Sequence, residues 1–153
     1  MRNKQFIAEH RGGPLTKERH RLLMKWACDC SKHVLVLLGN QIDLRLINAL
    51  FVAIKWKEGN ASTGEARKVA VESFAVARES SNPVAAAVAR SVGHAVATAH
   101  MADHSMGAAD YALKAINFLG KSVEDERRWQ DEQLPSEIRE LVLSAREKRH
   151  LKI

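Results

Sequence analysis

Apolar side chains recur every three or four residues along most of this chain, a spacing typical of helices that bury one face. Between residues 17 and 38 this face comprises Leu22, Leu23, Trp26, Ala27, Cys30, Val34 and Leu37. No stretch alternates apolar and polar residues over the length of a strand, and the hairpin dipeptides Asn-Gly and Asp-Gly are absent. The pattern therefore predicts an all-α fold, a single-domain bundle of six or seven helices.

Polar residues at the ends of the apolar stretches predict where the next two helices begin. Asp43 caps a second helix over residues 44–57, whose buried stripe is expected to be Leu44, Ile47, Phe51 and Ile54. Ser62 and Glu65 have the spacing of a capping box, which starts a third helix that runs to about Ser80.

An alanine-rich stretch from Pro83 to Leu119 predicts the central helix around which the others pack. Asn82 supplies the N-cap oxygen, and Pro83 takes the first helical position, where its missing N–H costs nothing. The alanines and glycines keep this surface thin, so neighbouring backbones can approach closely. A break near Asp103–Ser105 is an open alternative, which would divide the stretch into two helices.

Two shorter helices are predicted after Gly120, over residues 123–133 and 136–148. Acidic residues open the first of them and basic residues close the second, as the helix dipole favours. The chain before Thr16 has no helical pattern and is predicted to be a flexible basic N-terminal arm, residues 1–15. Residues 16–153 then form the helical domain.

The apolar stripes also predict the core. Five side chains should be largely buried, namely Trp26, Val34, Phe51, Ile54 and Val96. Cys30 is in phase with Trp26 and Val34 and belongs with them, whereas Cys28 points about 200° away on the same helix. The two cysteines therefore form neither a disulfide nor a chelating pair, as expected in a reducing compartment.

The composition is that of one soluble globular domain, because 46% of the 153 residues are hydrophobic and 27% are charged. No apolar run approaches the ~20 residues that span a bilayer. The charged N-terminal stretch also lacks the apolar region of a secretory signal. We expect a cytoplasmic protein.

The net charge of +6 is concentrated at the start of the chain. Residues 1–33 carry eight Lys and Arg against three Asp and Glu. Such a basic segment contacts nucleic acid in some proteins and is only a solvated flank in others. No aromatic residues interleave with these charges as they do in single-strand binders, so nucleic-acid binding is the less favoured alternative.

Three histidines in the central stretch are the first candidate for chemistry. His100 and His104 are one helical turn apart, a spacing that can chelate a metal. Met101 occupies the position where zinc proteases need Glu, which excludes their chemistry. His94 joins the pair only if the helix bends or a neighbouring helix supplies a ligand. The favoured alternative is that all three are packing residues, neutral and hydrogen-bonded to carbonyls, hydroxyls or carboxylates.

Arginines inside apolar helices extend this candidate site, because a buried guanidinium needs carboxylate partners. The candidate ligand or partner cluster is His94, His100, His104, Asp103, Arg90 and Arg45. No catalytic residues and no cofactor are predicted, since a nucleophile elbow, a P-loop and a dinucleotide-binding glycine motif are absent.

A series of landmarks in the sequence resembles one known family. The most specific is Gly93-His94-Ala95-Val96-Ala97-Thr98-Ala99-His100 followed by Asp103-His104. The others are Trp26-Ala27 with Cys30, Asp43 with Arg45, Trp56 with Gly59, Ala66-Arg67, Ala77-Arg78 and Ala108-Ala109 with Tyr111. Over about residues 19–119 the chain is similar to the immunity-five-like family, which is assigned to bacterial toxin–immunity systems.

The resemblance implies an all-helical cytoplasmic protein that binds and blocks a partner toxin. We therefore predict a non-enzymatic protein-binding module that acts on a protein and not on nucleic acid or a membrane, with its oligomeric state left open. The alternative is a small metal- or ligand-binding helical protein, or an unrecognised enzyme, that uses His94, His100 and His104. Immunity proteins against nucleases tend to be acidic, whereas this chain is basic. Either its toxin is not a nuclease, or the basic arm lies outside the contact surface, or the protein has another role.

Overall fold

A computed structural model describes residues 2–151 of the chain and confirms an all-α, single-domain bundle. The last two residues of the predicted domain 16–153 lie outside the described residues. Seven α-helices follow one another within the described range: α1 (Lys17–Leu35), α2 (Leu44–Lys57), α3 (Thr63–Glu79), α4 (Pro83–Ala97), α5 (His104–Phe118), α6 (Val123–Glu132) and α7 (Ser136–Leu151). Short 3₁₀ helices lie at Lys4–Phe6, Glu9–Arg11 and Val36–Leu38. None of the helices in this range combines the length and apolar character needed to cross a bilayer.

The helix starts follow the capping residues closely. The side chains of Thr16, Asp43, Asn82 and Ser122 each accept a hydrogen bond from a backbone N–H of the first turn they precede. At the start of α3 both halves of the predicted capping box are present, between Ser62 and Glu65.

The alanine-rich stretch forms two helices, α4 and α5, which pack against each other at the centre of the bundle. The break lies at residues 98–103, earlier than the alternative in the sequence analysis placed it, and α5 begins at His104. α1 packs against both central helices, and α3 packs against α4. A buried hydrogen-bonded chain fixes this arrangement, because Ser31 of α1 contacts Ser91 of α4 (2.8 Å), which donates to the carbonyl of Ala108 in α5 (2.7 Å).

The predicted stripe on α2 is wrong. The helix buries Leu46, Ala49, Leu50 and Ala53, whereas Leu44, Ile47 and Phe51 are exposed and Ile54 is half-buried. α2 is apolar on nearly all sides, so two stripes satisfy the same spacing. The stripe with two alanines is the one that packs against α3 and α4, because small side chains allow a close approach. Trp26, Val34 and Val96 are buried as predicted.

The N-terminal segment ahead of α1 packs against the helical bundle. Phe6 and Leu15 are buried in a second apolar cluster with Trp26, Met106 and Ile138, beside the main core between α1 and α5. Two backbone hydrogen bonds, Glu9 N–H to the Leu15 carbonyl and Leu15 N–H to the Ile7 carbonyl, close this segment on itself. The sequence pattern missed it because a single Phe and a single Leu show no periodicity.

The two cysteines are reduced and buried, Cys28 in the main core and Cys30 in the second cluster. Burial raises the pKa of the Cys28 thiol to about 12 and raises that of Cys30 well above its usual range.

Candidate functional site

The turn between α4 and α5 brings the three candidate histidines together. His94 lies in the last turn of α4, His100 lies in the turn itself, and His104 is the first residue of α5. The ring centroids of His94 and His104 are 5.0 Å apart, and those of His100 and His104 are 5.3 Å apart. The chain therefore bends between His94 and His104, which was the condition for His94 to join the other two histidines. We call these three residues the histidine cluster.

His94 and His104 form a direct contact between their Nδ1 atoms, at 3.0 Å. Two N–H groups cannot face each other at this distance, so one Nδ1 donates and the other accepts. Burial, with a smaller contribution from the charge of a protonated His104, lowers the pKa of His94 to about 4. Burial also lowers the pKa of His104, against the opposing effect of the Asp103 carboxylate. The pair is consequently neutral near pH 7.

The His94 ring packs against two aromatic rings and a glycine. The edge of Phe74 from α3 points at the His94 ring in a T-shaped contact, and Tyr111 of α5 stacks on it, both at 5.2 Å. A Cβ at Gly107 would lie 2.8 Å from His94 Nδ1, and a Cβ at Gly93 would lie 2.8 Å from Phe74. Both glycines are therefore required for this packing, and the groups that approach them are side-chain rings, not the neighbouring backbones that the sequence analysis expected.

His100 differs from the other two members of the cluster. Its Nδ1 is buried and has no hydrogen-bond partner among the described residues, although the ring as a whole is half-buried. Burial lowers its pKa, with smaller contributions from His104, Arg67 and Arg11. The expectation that the histidines bond to carbonyls, hydroxyls or carboxylates thus fails for His100, and His94 and His104 bond to each other instead.

The remaining members of the predicted cluster are placed differently. Asp103 accepts a hydrogen bond from Nε of Arg2 (2.9 Å), which ties the start of the chain to the turn beside His104. Arg90 is half-buried and lies one turn before His94, on the same side of α4.

Arg45 is not part of this site, which corrects the sequence analysis. It donates to Asp43 and to Glu79 at the far end of α3 (2.9 and 2.8 Å). Glu79 is close to the start of α4, and Pro83 and His94 are 11 residues apart along that helix, about 16 Å at its rise per residue.

Among the side chains of residues 2–149, no three His, Cys, Asp or Glu are arranged so that they could hold a metal ion. The histidine cluster offers two imidazoles at close range and an unpaired third nitrogen, and Asp103 is engaged by Arg2. The cluster thus contains a neutral pair of imidazoles, His94 and His104, which are joined by one hydrogen bond and packed against aromatic rings.

Sequence reasoning missed one histidine next to the same turn. Nε2 of His20 in α1 donates to the carbonyl of Thr98 at 2.6 Å, and the His20 ring packs on Trp56 (4.9 Å). Burial lowers its pKa. The available signal was its spacing, since His20, Leu23 and Ala27 share one buried face of α1. What the spacing did not show is that Thr98 ends α4, which leaves its carbonyl free to accept.

Comparison with known proteins identifies the family. The family model described as "Imm-5 like putative immunity protein" matches residues 13–137, from just before α1 to the start of α7, and so includes the histidine cluster. Searches of curated proteins and of solved structures returned no significant match. The match covers most of the 153 residues, and the chain therefore belongs to the Imm-5 like putative immunity protein family.

Proposed function

We propose that this chain is a non-enzymatic immunity protein that binds a partner toxin and neutralises it in the cytoplasm. The observation that carries the proposal is the family match over residues 13–137, which spans six of the seven helices completely. Membership supports an immunity-like function, and the toxin partner is our inference from it.

The surface supports a binding role. Large apolar side chains are exposed on several helices, among them Leu44 and Phe51 on α2 and Phe118 at the end of α5. Exposed apolar groups that cluster on one face usually mark a surface that contacts another macromolecule. In the histidine cluster, by contrast, His94 packs against Phe74, Tyr111 and Gly107, so the cluster fits a role in packing α4 onto α5.

The test has two steps. Affinity capture with the tagged full chain in its native host, followed by mass spectrometry, identifies candidate partners. Each candidate is then expressed in a sensitive bacterial strain with and without this chain. Growth arrest by the candidate alone and rescue by co-expression are expected, with direct binding of the two purified proteins. Failure of this chain to relieve the toxicity of any partner it binds would contradict the proposal.

A second candidate function rests on a single observation, the unpaired buried Nδ1 of His100 beside the other two histidines. A metal ion or a small polar ligand held there would give that atom a partner. Stoichiometric zinc in the purified protein, lost together with stability in His100→Ala, would support this candidate. We expect instead that neither zinc nor chelator shifts the melting temperature of the wild-type protein.

A further inference from the structure

One face of α2 carries a row of exposed apolar side chains. Leu44, Ile47 and Phe51 are 77%, 47% and 60% exposed, and their spacing of three and four residues places them on one side of the helix. Val36, 68% exposed, directly follows the neighbouring helix α1 and precedes Leu44 by eight residues. We call Leu44, Ile47 and Phe51 the α2 strip. Opposite it, Leu46, Leu50 and Ala53 hold α2 in the bundle, so the strip is additional to what folding requires.

Lys55 borders the α2 strip, and further lysines lie around the adjoining part of α1 and the end of α2. Nζ of Lys55 lies 5.5 Å from the centroid of the Phe51 ring. Lys25 and Lys32 of α1 lie on the same face as Cys28, and these two lysines and Lys57 of α2 all lie close enough to its thiol to act on its pKa. Because α1 and α2 pack against each other, Lys25 and Lys32 lie on the α1 side of the junction between the two helices, whereas Lys57, four residues after Ala53, follows the buried row of α2.

Most of these lysines are not neutralised by the chain itself. Lys25 pairs with Asp29 at 2.8 Å. Within the part of the chain that the structure describes, no carboxylate lies within the 4.0 Å ion-pair distance of Lys32, Lys55 or Lys57. An apolar row with unpaired positive charge beside it is complementary to an apolar row with negative charge beside it.

A second copy of this chain is a poor occupant of the strip. A two-fold dimer would bring the same surface of each copy together, and the unpaired lysines of one copy would then face those of the other. Like charges at an interface cost binding energy, so self-association is disfavoured. An anionic lipid surface satisfies the same charges. However, the strip spans only two helical turns, about 10 Å, and the family match points to a protein partner.

We propose that the α2 strip, with Lys55 at its edge and Lys32 across the α1–α2 junction, docks a protein segment whose apolar side chains are flanked by carboxylates. The inference rests on the proposed function, because it names the surface that contacts the toxin and the chemistry of the toxin segment. Apolar contact at Phe51 supplies affinity, and the lysines select an acidic partner over a basic one.

The first experiment uses two synthetic helical peptides as probes, with Leu at positions i, i+3 and i+7 in both. One peptide has Glu at the flanking positions and the other has Lys. Titrated into the ¹⁵N-labelled full chain, the acidic peptide should shift amide resonances of residues 44–55 and bind at least tenfold more tightly. Phe51→Ser should weaken that binding about tenfold. A double variant, Lys32→Glu with Lys55→Glu, should reverse the preference between the peptides.

Val71→Ser is the matched control, because Val71 is 63% exposed on α3 and lies outside the strip. It should leave peptide binding unchanged. Phe51 is exposed, so its replacement should leave the melting temperature close to that of the wild-type protein, which separates lost binding from lost folding. Equal binding of both peptides, or equal loss in Val71→Ser and Phe51→Ser, would overturn the proposal.

The proposal would also be overturned if the acidic peptide showed no binding up to about 100 μM. A dimer in solution that Phe51→Ser dissociates would show that a second copy of the chain covers the strip. Binding of the chain to phosphatidylglycerol vesicles without binding of the acidic peptide would assign the strip to a lipid surface. In the growth test, rescue by the wild-type chain and undiminished rescue by Phe51→Ser would contradict this surface and leave the proposed function intact. Failure of the wild-type chain to rescue would contradict the function itself.

Discussion

Nδ1 of His94 and Nδ1 of His104 lie 3.0 Å apart, a distance at which only one of the two nitrogens can carry the N–H that joins them. Adding a second proton to the pair would force two N–H groups towards each other in a half-buried site. The pKa of each ring is lowered, that of His94 to about 4. This contact therefore links the stability of the α4–α5 junction to pH.

The free energy of unfolding should decrease as the pH falls from about 6.5 to about 4. The unfolded chain takes up a proton at His94 near the ordinary pKa of 6.5, whereas the folded chain resists it until about pH 4. The neutral ring thus favours folding above pH 6.5, and this contribution is lost across that window. For His94 alone we expect a loss of about 1–2 kcal/mol, since the half-buried ring is partly screened by water.

Urea unfolding at a series of pH values measures this loss, and His94→Gln should flatten the dependence between pH 6.5 and 4.5. His10→Gln, at an exposed position, is the control and should retain the wild-type slope. The same slope in both variants would contradict the assignment to His94.

Gly107→Ala should destabilise the protein by about 1–3 kcal/mol. The added Cβ would lie 2.8 Å from Nδ1 of His94, and the ring has little room to retreat because Phe74 and Tyr111 pack on it. Gly64→Ala is the matched control, since its Cβ would meet only Ser62 Oγ at an ordinary 3.8 Å. That variant should be neutral or slightly stabilising, because alanine is the better helix former. Equal melting temperatures for the two variants would contradict this prediction, because they would show that the packing around His94 accommodates the methyl group.

Val96→Asp should cost about 3–5 kcal/mol of stability, enough to threaten folding. Val96 is fully buried in the main core, where the new carboxylate would have no partner supplied for it. Val71→Asp makes the same replacement on the exposed side of α3 and should change stability by less than about 1 kcal/mol. Thermal melts of both variants, read by circular dichroism, make the comparison. A Val96→Asp protein that melts like the wild type would contradict the placement of α4.

Binding to DNA or RNA should be weak at physiological ionic strength. The basic residues of the first 33 positions are partly neutralised, since Arg2 pairs with Asp103 and Lys25 with Asp29. Fluorescence anisotropy with labelled single- and double-stranded oligonucleotides, measured from about 50 to 200 mM salt, tests this expectation. Sub-micromolar affinity that falls steeply with salt would favour nucleic acid over protein as the partner.

Local signals in the sequence predicted most of the fold. Asp43, Ser62 and Asn82 act within three residues of their own position, so their caps are readable without knowing the tertiary structure. The side of α2 that is buried, in contrast, cannot be determined from neighbouring residues in the sequence. Its two apolar stripes have the same spacing, and only the presence of α3 and α4 selects the one that contains Ala49 and Ala53.

The candidate site was partly predictable for the same reason. His100 and His104 were recognised from their spacing, but their meeting with His94 depends on where the chain turns. Nothing in the run of alanines and valines before Thr98 indicates that α4 stops at Ala97. Arg45 was misplaced because a charged residue in an apolar helix suggests a buried partner, whereas its carboxylates, Asp43 and Glu79, lie at the surface end of the bundle.

The two reduced cysteines provide a built-in reporter of how often the bundle opens. With its pKa near 12, only about one Cys28 thiol in ten thousand is ionised at pH 8, and the side chain is almost wholly enclosed. Reaction with a thiol reagent therefore waits for the helices to separate. Cys28 lies in the main core and Cys30 in the second cluster, so two labelling rates would show whether these regions come apart together or in sequence.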